Sequence, residues 1–331
     1  MKVLITGGAG FLGQRLARRL LERGELAGPN GRAEKISTLV LLDVAAAPDF
    51  SDVRVKTMVG DIAERAVLEQ AIDTDTAAVF HLAAIVSGQA EAEFDLGMRI
   101  NLDASRTLLE VCRARGHRPR VVFTSSVAVY GGTLPDVVRD MVNDDSALNP
   151  QSSYGTQKAI AELLLNDYTR RGFVDGRVLR LPTISVRPGR PNAAASSFAS
   201  GIIREPLNGE TSVCPVPRST RLWLLSPRRA IDALVAGCEL DAAVLDALPG
   251  NRRVVNLPGI SVSVDEMIVA LREVAGDEAV KRIRHEVDDR IAKIVVSWPG
   301  RWDTSRAERL GLHGDASFVE VIRAYVEDER K

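Results

Sequence analysis

A chain of 331 residues with 45% hydrophobic and 26% charged residues has the make-up of a globular enzyme, long enough for a large core and an appended lobe. Forty-three basic against 44 acidic side chains leave a formal charge of −1, which gives no footprint for nucleic acid. No apolar run reaches the roughly 20 residues of a membrane span, no signal peptide is expected, and three cysteines and four histidines are too scattered for a disulfide framework or a metal site, so a soluble cytoplasmic protein is expected.

In chain order, Lys2 to Thr6 reads as a buried strand, followed by glycines and a helix over 14–23 with Leu16, Leu20 and Leu21 on one face. The Gly/Pro/Asn-containing stretch 24–37 reads as a surface loop. Strands are expected over 38–43, 53–59, 77–83 and 119–125, the last carrying Val121, Val122 and Phe123, with a long helix over 94–115 before it. A helix over 153–171 and a sixth strand over 177–183 follow. Strands alternating with helices imply a parallel sheet covered on both faces, and right-handed crossovers make it doubly wound. Beyond Pro182 the prolines at 188, 191, 206, 215 and 217 break the alternation, and helices are expected over 196–204, 226–239, 264–276 and from 316.

The first strand, the run Thr6-Gly7-Gly8-Ala9-Gly10-Phe11-Leu12-Gly13 and the following helix form the strongest local signal. Gly7 permits a tight turn, Gly10 lets a pyrophosphate approach the backbone, and Gly13 lets helix and strand pack closely. The helix start, with Phe11 and Leu12, offers free amides and a positive dipole end. Asp43 closes the second strand, where a carboxylate accepts hydrogen bonds from ribose hydroxyls and repels a 2′-phosphate, so NAD is expected over NADP. The 24–37 stretch explains why Asp43 lies further on than the usual spacing of about 20 residues. Asp61 and Ile62, after the third strand, are placed at the adenine edge.

Tyr154 and Lys158 are spaced i, i+4 and share a helix face. A free phenol, with a pKa near 10, is a poor base at neutral pH; a nearby ammonium and an oxidised nicotinamide both favour its phenolate. Ser125 and Ser126 end the fifth strand, at the sheet edge where such folds bind ligands, and a hydroxyl there can hold a substrate oxygen.

Together with TGGAGFLG, the segments HLAA at 81–84, TSSVAVYG at 124–131 and YGTQK at 154–158 resemble the extended short-chain dehydrogenase/reductases of the NAD-dependent epimerase/dehydratase family. The resemblance implies a Rossmann-like α/β fold, with NAD bound by residues 1–185 and a smaller lobe over 186–331 that mainly binds substrate and sends segments back to the core. It implies Ser126 as oxygen positioner, Tyr154 as acid/base, and Lys158 as ribose ligand and tuner of the phenol. It also implies that Leu82, Ala83 and Ala84 flank the dinucleotide, that Asn101 lies near it, and that Leu181 to Thr183 lie beside the nicotinamide. A homodimer through the helices near 94–115 and 153–171 belongs to the same set of expectations.

Two departures narrow the substrate. Sugar-nucleotide dehydratases of the family carry Thr-Asp-Glu where this chain has Ser126-Val127-Ala128, and of the late motif of sugar-nucleotide members only Arg221 persists. The segments at 180–207, 221–234 and 297–303 resemble members that oxidise C2 of a small sugar acid with NAD. Arginines 180, 187, 190 and 221 offer forks for its carboxylate, with Arg221 the first choice and Arg187 the second. A sugar-nucleotide epimerase, a uronate dehydrogenase and a non-enzymatic NAD sensor are the competing readings. Trp223, Trp298 and Trp302 receive no role.

Overall fold

The computed structural model describes residues 1–131, 141–251 and 253–329. Its main sheet has seven strands: β1 (Lys2–Thr6), β2 (Thr38–Asp43), β3 (Val55–Val59), β4 (Thr76–His81), β5 (Arg120–Ser126), β6 (Asp175–Leu181) and β7 (Val254–Asn256). They lie in the order β7-β6-β5-β4-β1-β2-β3, every neighbouring pair parallel. The order turns back between β1 and β4, and a crevice opens there at the carboxyl ends of the strands.

The central strands are apolar almost throughout because both faces are covered. Val3, Ile5, Leu39 and Leu41 pack against Leu16 and Leu20 of the helix Phe11–Arg23 and against the helix Pro227–Glu239. Their alternates Leu4, Val40 and Leu42 face the helices Ala104–Arg115 and Ser153–Arg170 on the other side.

Three elements differ from the expectations. The 24–37 stretch carries an antiparallel hairpin, Glu25–Ala27 with Ala33–Lys35, that buries Leu26. Strands of three residues are too short for alternation to declare them. The Arg120 guanidinium pins the hairpin by donating to the carbonyls of Ala27 (3.2 Å) and Cys238 (2.7 Å). The helix expected over 94–115 is one helical run, Phe94–Gly97 continuing into Ala104–Arg115, with a π-helical segment, Met98–Asp103, between them. The helix expected to end at Gly276 runs Val264–Val280 and breaks at that glycine, whose φ is +77°.

Past Leu181 the chain leaves the main sheet: Thr183–Ile184 pairs with Arg221–Leu225, which in turn pairs with Ile260–Ser263. A second small pair joins Ser212–Cys214 to Ile283–His285. These elements and the helices Phe198–Leu207, Val264–Val280 and Phe318–Glu329 enclose an apolar core of their own. A buried polar knot ties this part to the sheet. Arg180 on β6 pairs with Glu162 at 2.7 Å and donates to the Tyr130 hydroxyl, which donates to Asn256 Oδ1 on β7 at 2.9 Å. No helix among the described residues is long and apolar enough to cross a membrane.

Candidate active site

The ends of β1 to β6 contribute to one cleft of about 560 Å³. From β1 come Gly7, Gly10, Phe11, Leu12 and Gly13; from β2, Asp43; from the turn after β3, Asp61 and Ile62. Leu82, Ala83 and Ala84 follow β4, Ser125 and Ser126 close β5, and Leu181 and Thr183 follow β6. Tyr154, Lys158 and Arg187 complete the set. The β1 loop leaves no room for side chains: Gly7 has φ +73°, and a Cβ on Gly13 would lie 2.2 Å from the Gly7 carbonyl oxygen. Asp43 accepts the amides of Ala9 (3.0 Å) and Ala45 (3.3 Å), which fixes its carboxylate at the cleft with acceptor capacity to spare. Asp61 accepts the Ala63 amide at 2.9 Å and pairs with Arg99 at 2.6 Å.

The floor is set by His81. Its Nδ1 lies 2.7 Å from the Thr6 hydroxyl and its Nε2 3.0 Å from the Ser105 hydroxyl, and Thr6 Oγ1 accepts the Ala83 amide at 3.3 Å. Burial, aided by the charge of Lys158, pushes the imidazole down to about 3, so it is neutral and purely a connector. Asn101, expected near the cofactor, lies just behind the residues that line the cleft. Its side chain clasps the Ile85 backbone (2.8 Å to the amide, 3.1 Å to the carbonyl) and donates to Gln157 Oε1 at 2.7 Å. The π-helical segment that carries it widens the turn there, and Asn101 ties the strand β4 loop to the helix of Tyr154.

Ser152 caps the helix Ser153–Arg170 by accepting the Gly155 amide at 3.2 Å. A Cβ on Gly155 would stand 2.0 Å from the Ala128 carbonyl oxygen, so glycine alone lets this helix start against the end of β5. That approach brings Tyr154 to Ser126. Ser126 Oγ accepts the Ala128 amide at 3.2 Å, and its hydroxyl is hydrogen-bonded to the Tyr154 phenol. The Ser125 hydroxyl is buried at the cleft and has no partner among the described residues.

Burial dominates the electrostatics of the Tyr154 and Lys158 pair. Lys158 Nζ donates to the Thr124 carbonyl at 2.9 Å and sits 4.6 Å from the Phe123 ring centroid and 5.7 Å from that of Tyr154. Burial pushes it down to about 7, against the attraction of Glu162. Burial likewise raises the Tyr154 phenol, and the groups that oppose this are the Arg187 guanidinium and the Ser126 hydroxyl. Arg187 is thus a second cation near the phenol, beside Lys158.

Arg187 is braced on three sides. Its Nε donates to the Ile184 carbonyl at 3.1 Å, its amide to Ser200 Oγ at 3.0 Å, and its carbonyl accepts from Arg204 at 2.8 Å. Among the described residues its terminal nitrogens have no protein partner. Arg221, the first choice from sequence, does not line the cleft: its strand begins beside the start of the helix Val264–Val280, where it pairs with Glu266 at 3.1 Å and donates to the Ser261 carbonyl at 3.0 Å. Arg180 is consumed by Glu162 and Arg190 is exposed. Sequence reading missed Ser87, Asn192, Ser196 and Trp298, which line the same cleft. No local spacing marks them, because Ser87 meets the 192–196 segment only in the fold, where its Oγ accepts the Ala195 amide at 3.2 Å.

Strand order, glycine turn and the serine, tyrosine and lysine set define a Rossmann-type dinucleotide fold, and the chain belongs to the NAD dependent epimerase/dehydratase family, which it matches over residues 3–225. It is 66% identical over 328 residues to D-erythronate dehydrogenase from Cupriavidus necator, covering 99% of this chain and 98% of that protein. It is 45% identical over 329 residues to D-erythronate dehydrogenase from Haemophilus influenzae, covering 99% of each. A crystal structure described as the nucleoside-diphosphate-sugar epimerase from Agrobacterium tumefaciens is 44% identical, with a TM-score of 0.90, covering 100% of this chain and 94% of that one.

Proposed function

We propose that this protein is an NAD-dependent dehydrogenase that oxidises the C2 hydroxyl of a small sugar acid, D-erythronate, to 2-dehydro-D-erythronate. The observation that carries the reading is the meeting of Ser126, Tyr154, Lys158 and the unpaired end of Arg187 in the cleft that begins at the glycine loop. Two relatives named for that activity, similar over nearly their whole lengths, support the substrate.

The residues fit a dinucleotide. The loop from Gly7 to Gly13 is a cradle that a Cβ would fill, and the orphaned Ser125 hydroxyl awaits a polar partner. Gly10, Phe11, Leu12 and Gly13 would hold the pyrophosphate, Asp43 the ribose, Asp61 and Ile62 the adenine, and Leu82 to Ala84, Leu181 and Thr183 the remainder. When bound, NAD supplies a hydride acceptor and a positive ring.

Tyr154 takes the proton of the C2 hydroxyl. Ser126, held by the Ala128 amide and hydrogen-bonded to Tyr154, keeps that oxygen in line with the phenol. Arg187 grips the C1 carboxylate through its terminal nitrogens and lowers the cost of the phenolate beside it. Lys158 stays oriented by the Thr124 carbonyl toward the ribose side of the cleft. On this reading residues 1–185 bind the nucleotide and residues 186–331 mainly bind the acid. A cytoplasmic homodimer completes it: Phe94, Ile160 and Leu163 leave apolar side chains exposed on the two helices expected to pair, and the three cysteines are free and buried.

The Agrobacterium tumefaciens structure's description supports a second reading, an epimerase acting on a nucleotide sugar. The position of Arg221, neutralised by Glu266 away from the cleft, weighs against a diphosphate ligand. Nicotinamide absorbance separates the two. Mixing the protein with NAD and D-erythronate should accumulate NADH in proportion to acid consumed. No NADH with the acid, together with interconversion of a nucleotide sugar, would overturn the proposal.

A further inference from the structure

The three tryptophans divide sharply by environment. Trp223 and Trp302 stack with ring centroids 5.7 Å apart and planes at 25°, and the Tyr130 ring meets Trp302 edge-on at 6.0 Å. Trp223 Nε1 donates to the Leu257 carbonyl at 3.3 Å. Neither lines the cleft, and both are core. Trp298 comes from the same late segment as Trp302, yet it lines the cleft that holds Tyr154 and Arg187.

We infer that Trp298 is a fixed wall that determines how long a sugar acid the cleft accepts, an inference that rests on the sugar-acid reading above. The backbone of Trp298 is held where the helix Asp289–Val296 ends: the Trp298 amide donates to the Val295 carbonyl at 3.1 Å, and Ser297 Oγ donates to the Ile294 carbonyl at 2.6 Å. The residue is 9% exposed and packed into the apolar core of the later lobe, against which Tyr154 also rests. Displacing so large a side chain would open a void in a close-packed region, so the wall does not yield cheaply.

The chemistry of the substrate turns that wall into a ruler. In a 2-hydroxy acid the carboxylate and the reacting hydroxyl sit on adjacent carbons, so Arg187 and Tyr154 together fix C1 and C2. Everything from C3 onward projects toward the remaining lining of the cleft. Ser87, Asn192 and Ser196 supply hydrogen-bonding groups there, and Trp298 supplies bulk and an apolar face for C–H groups. Each further hydroxymethylene must then be accommodated against the indole.

The test is a panel of four-, five- and six-carbon aldonates, with NAD saturating, assayed on wild type, Trp298→Phe and Trp298→Ala. The kcat/KM ratio of the six-carbon to the four-carbon acid should rise at least about tenfold in Trp298→Ala, mostly through KM of the longer acid, with a smaller rise in Trp298→Phe. The KM for NAD should stay within about twofold in both. An unchanged ratio, or an equal loss toward every acid, overturns the inference even when wild type oxidises the four-carbon acid. If Trp298→Ala does not fold, the five- to four-carbon ratio in Trp298→Phe decides by the same rule. NADH formation by wild type with none of the acids overturns the underlying reading itself, and this inference with it.

Discussion

The two halves of the cleft are built by different means. On the β1–β3 side the glycines, Asp43, Asp61 and Ile62 lie within a few positions of a strand end, so the pleat and the tight turn place them. Gly7, Gly13 and Asp43 need only their own neighbours to be in register. On the other side Arg187, Asn192, Ser196 and Trp298 come from stretches that meet only after two small sheets and several helix ends have formed. A side chain's closeness to a strand end is thus a reliable guide to the first half and no guide to the second. Arg221 sits on a strand and still points its charge at Glu266.

The comparison can be broken most severely at the rigid half. Gly13→Val places a Cβ 2.2 Å from a backbone oxygen that cannot step aside, so NAD affinity by calorimetry should fall at least about a hundredfold. Retained affinity would mean that the loop is not the cradle. The assembled half should respond next. Arg187→Gln should raise KM for the acid about 10- to 100-fold with KM for NAD unchanged, as expected for loss of a charge-assisted fork. It should also shift the pH profile in a stated direction. Arg187 favours the phenolate against the burial that raises Tyr154, so its loss leaves the phenol a weaker acid. The pH at which kcat/KM for oxidation climbs should therefore move up. An unmoved profile with a normal KM would remove Arg187 from the site. The smallest effect belongs to Arg221→Ala: its guanidinium is already paired and 41% exposed, so KM for the acid should change by less than about twofold and stability by at most about 1 kcal/mol.

What could be read in advance follows from these same distances along the chain. The main-sheet strands β1, β2 and β5 declared themselves as apolar runs because both faces are covered, and the glycine loop because its turn tolerates nothing larger. The pairing of Tyr154 with Lys158 is a one-turn spacing on a helix. Three features were out of reach. The Glu25–Ala27 and Ala33–Lys35 strands are too short to alternate, the direction of Asn101 depends on a π-helical widening without a local signature, and Trp298 looks like any core tryptophan until the later lobe is assembled. A second cation near Tyr154 was also out of reach: Arg187 joins Lys158, whose Nζ lies 5.7 Å from the phenol ring centroid, from a segment with no fixed spacing to either.

The central claim is that the Tyr154 hydroxyl, and nothing else nearby, removes the substrate proton. Tyr154→Phe deletes that oxygen and keeps the ring packed against the later lobe. NADH formation should fall at least about a thousandfold in kcat, while NAD binding measured on the same sample stays within about twofold. Turnover close to wild type in that variant would contradict the account directly.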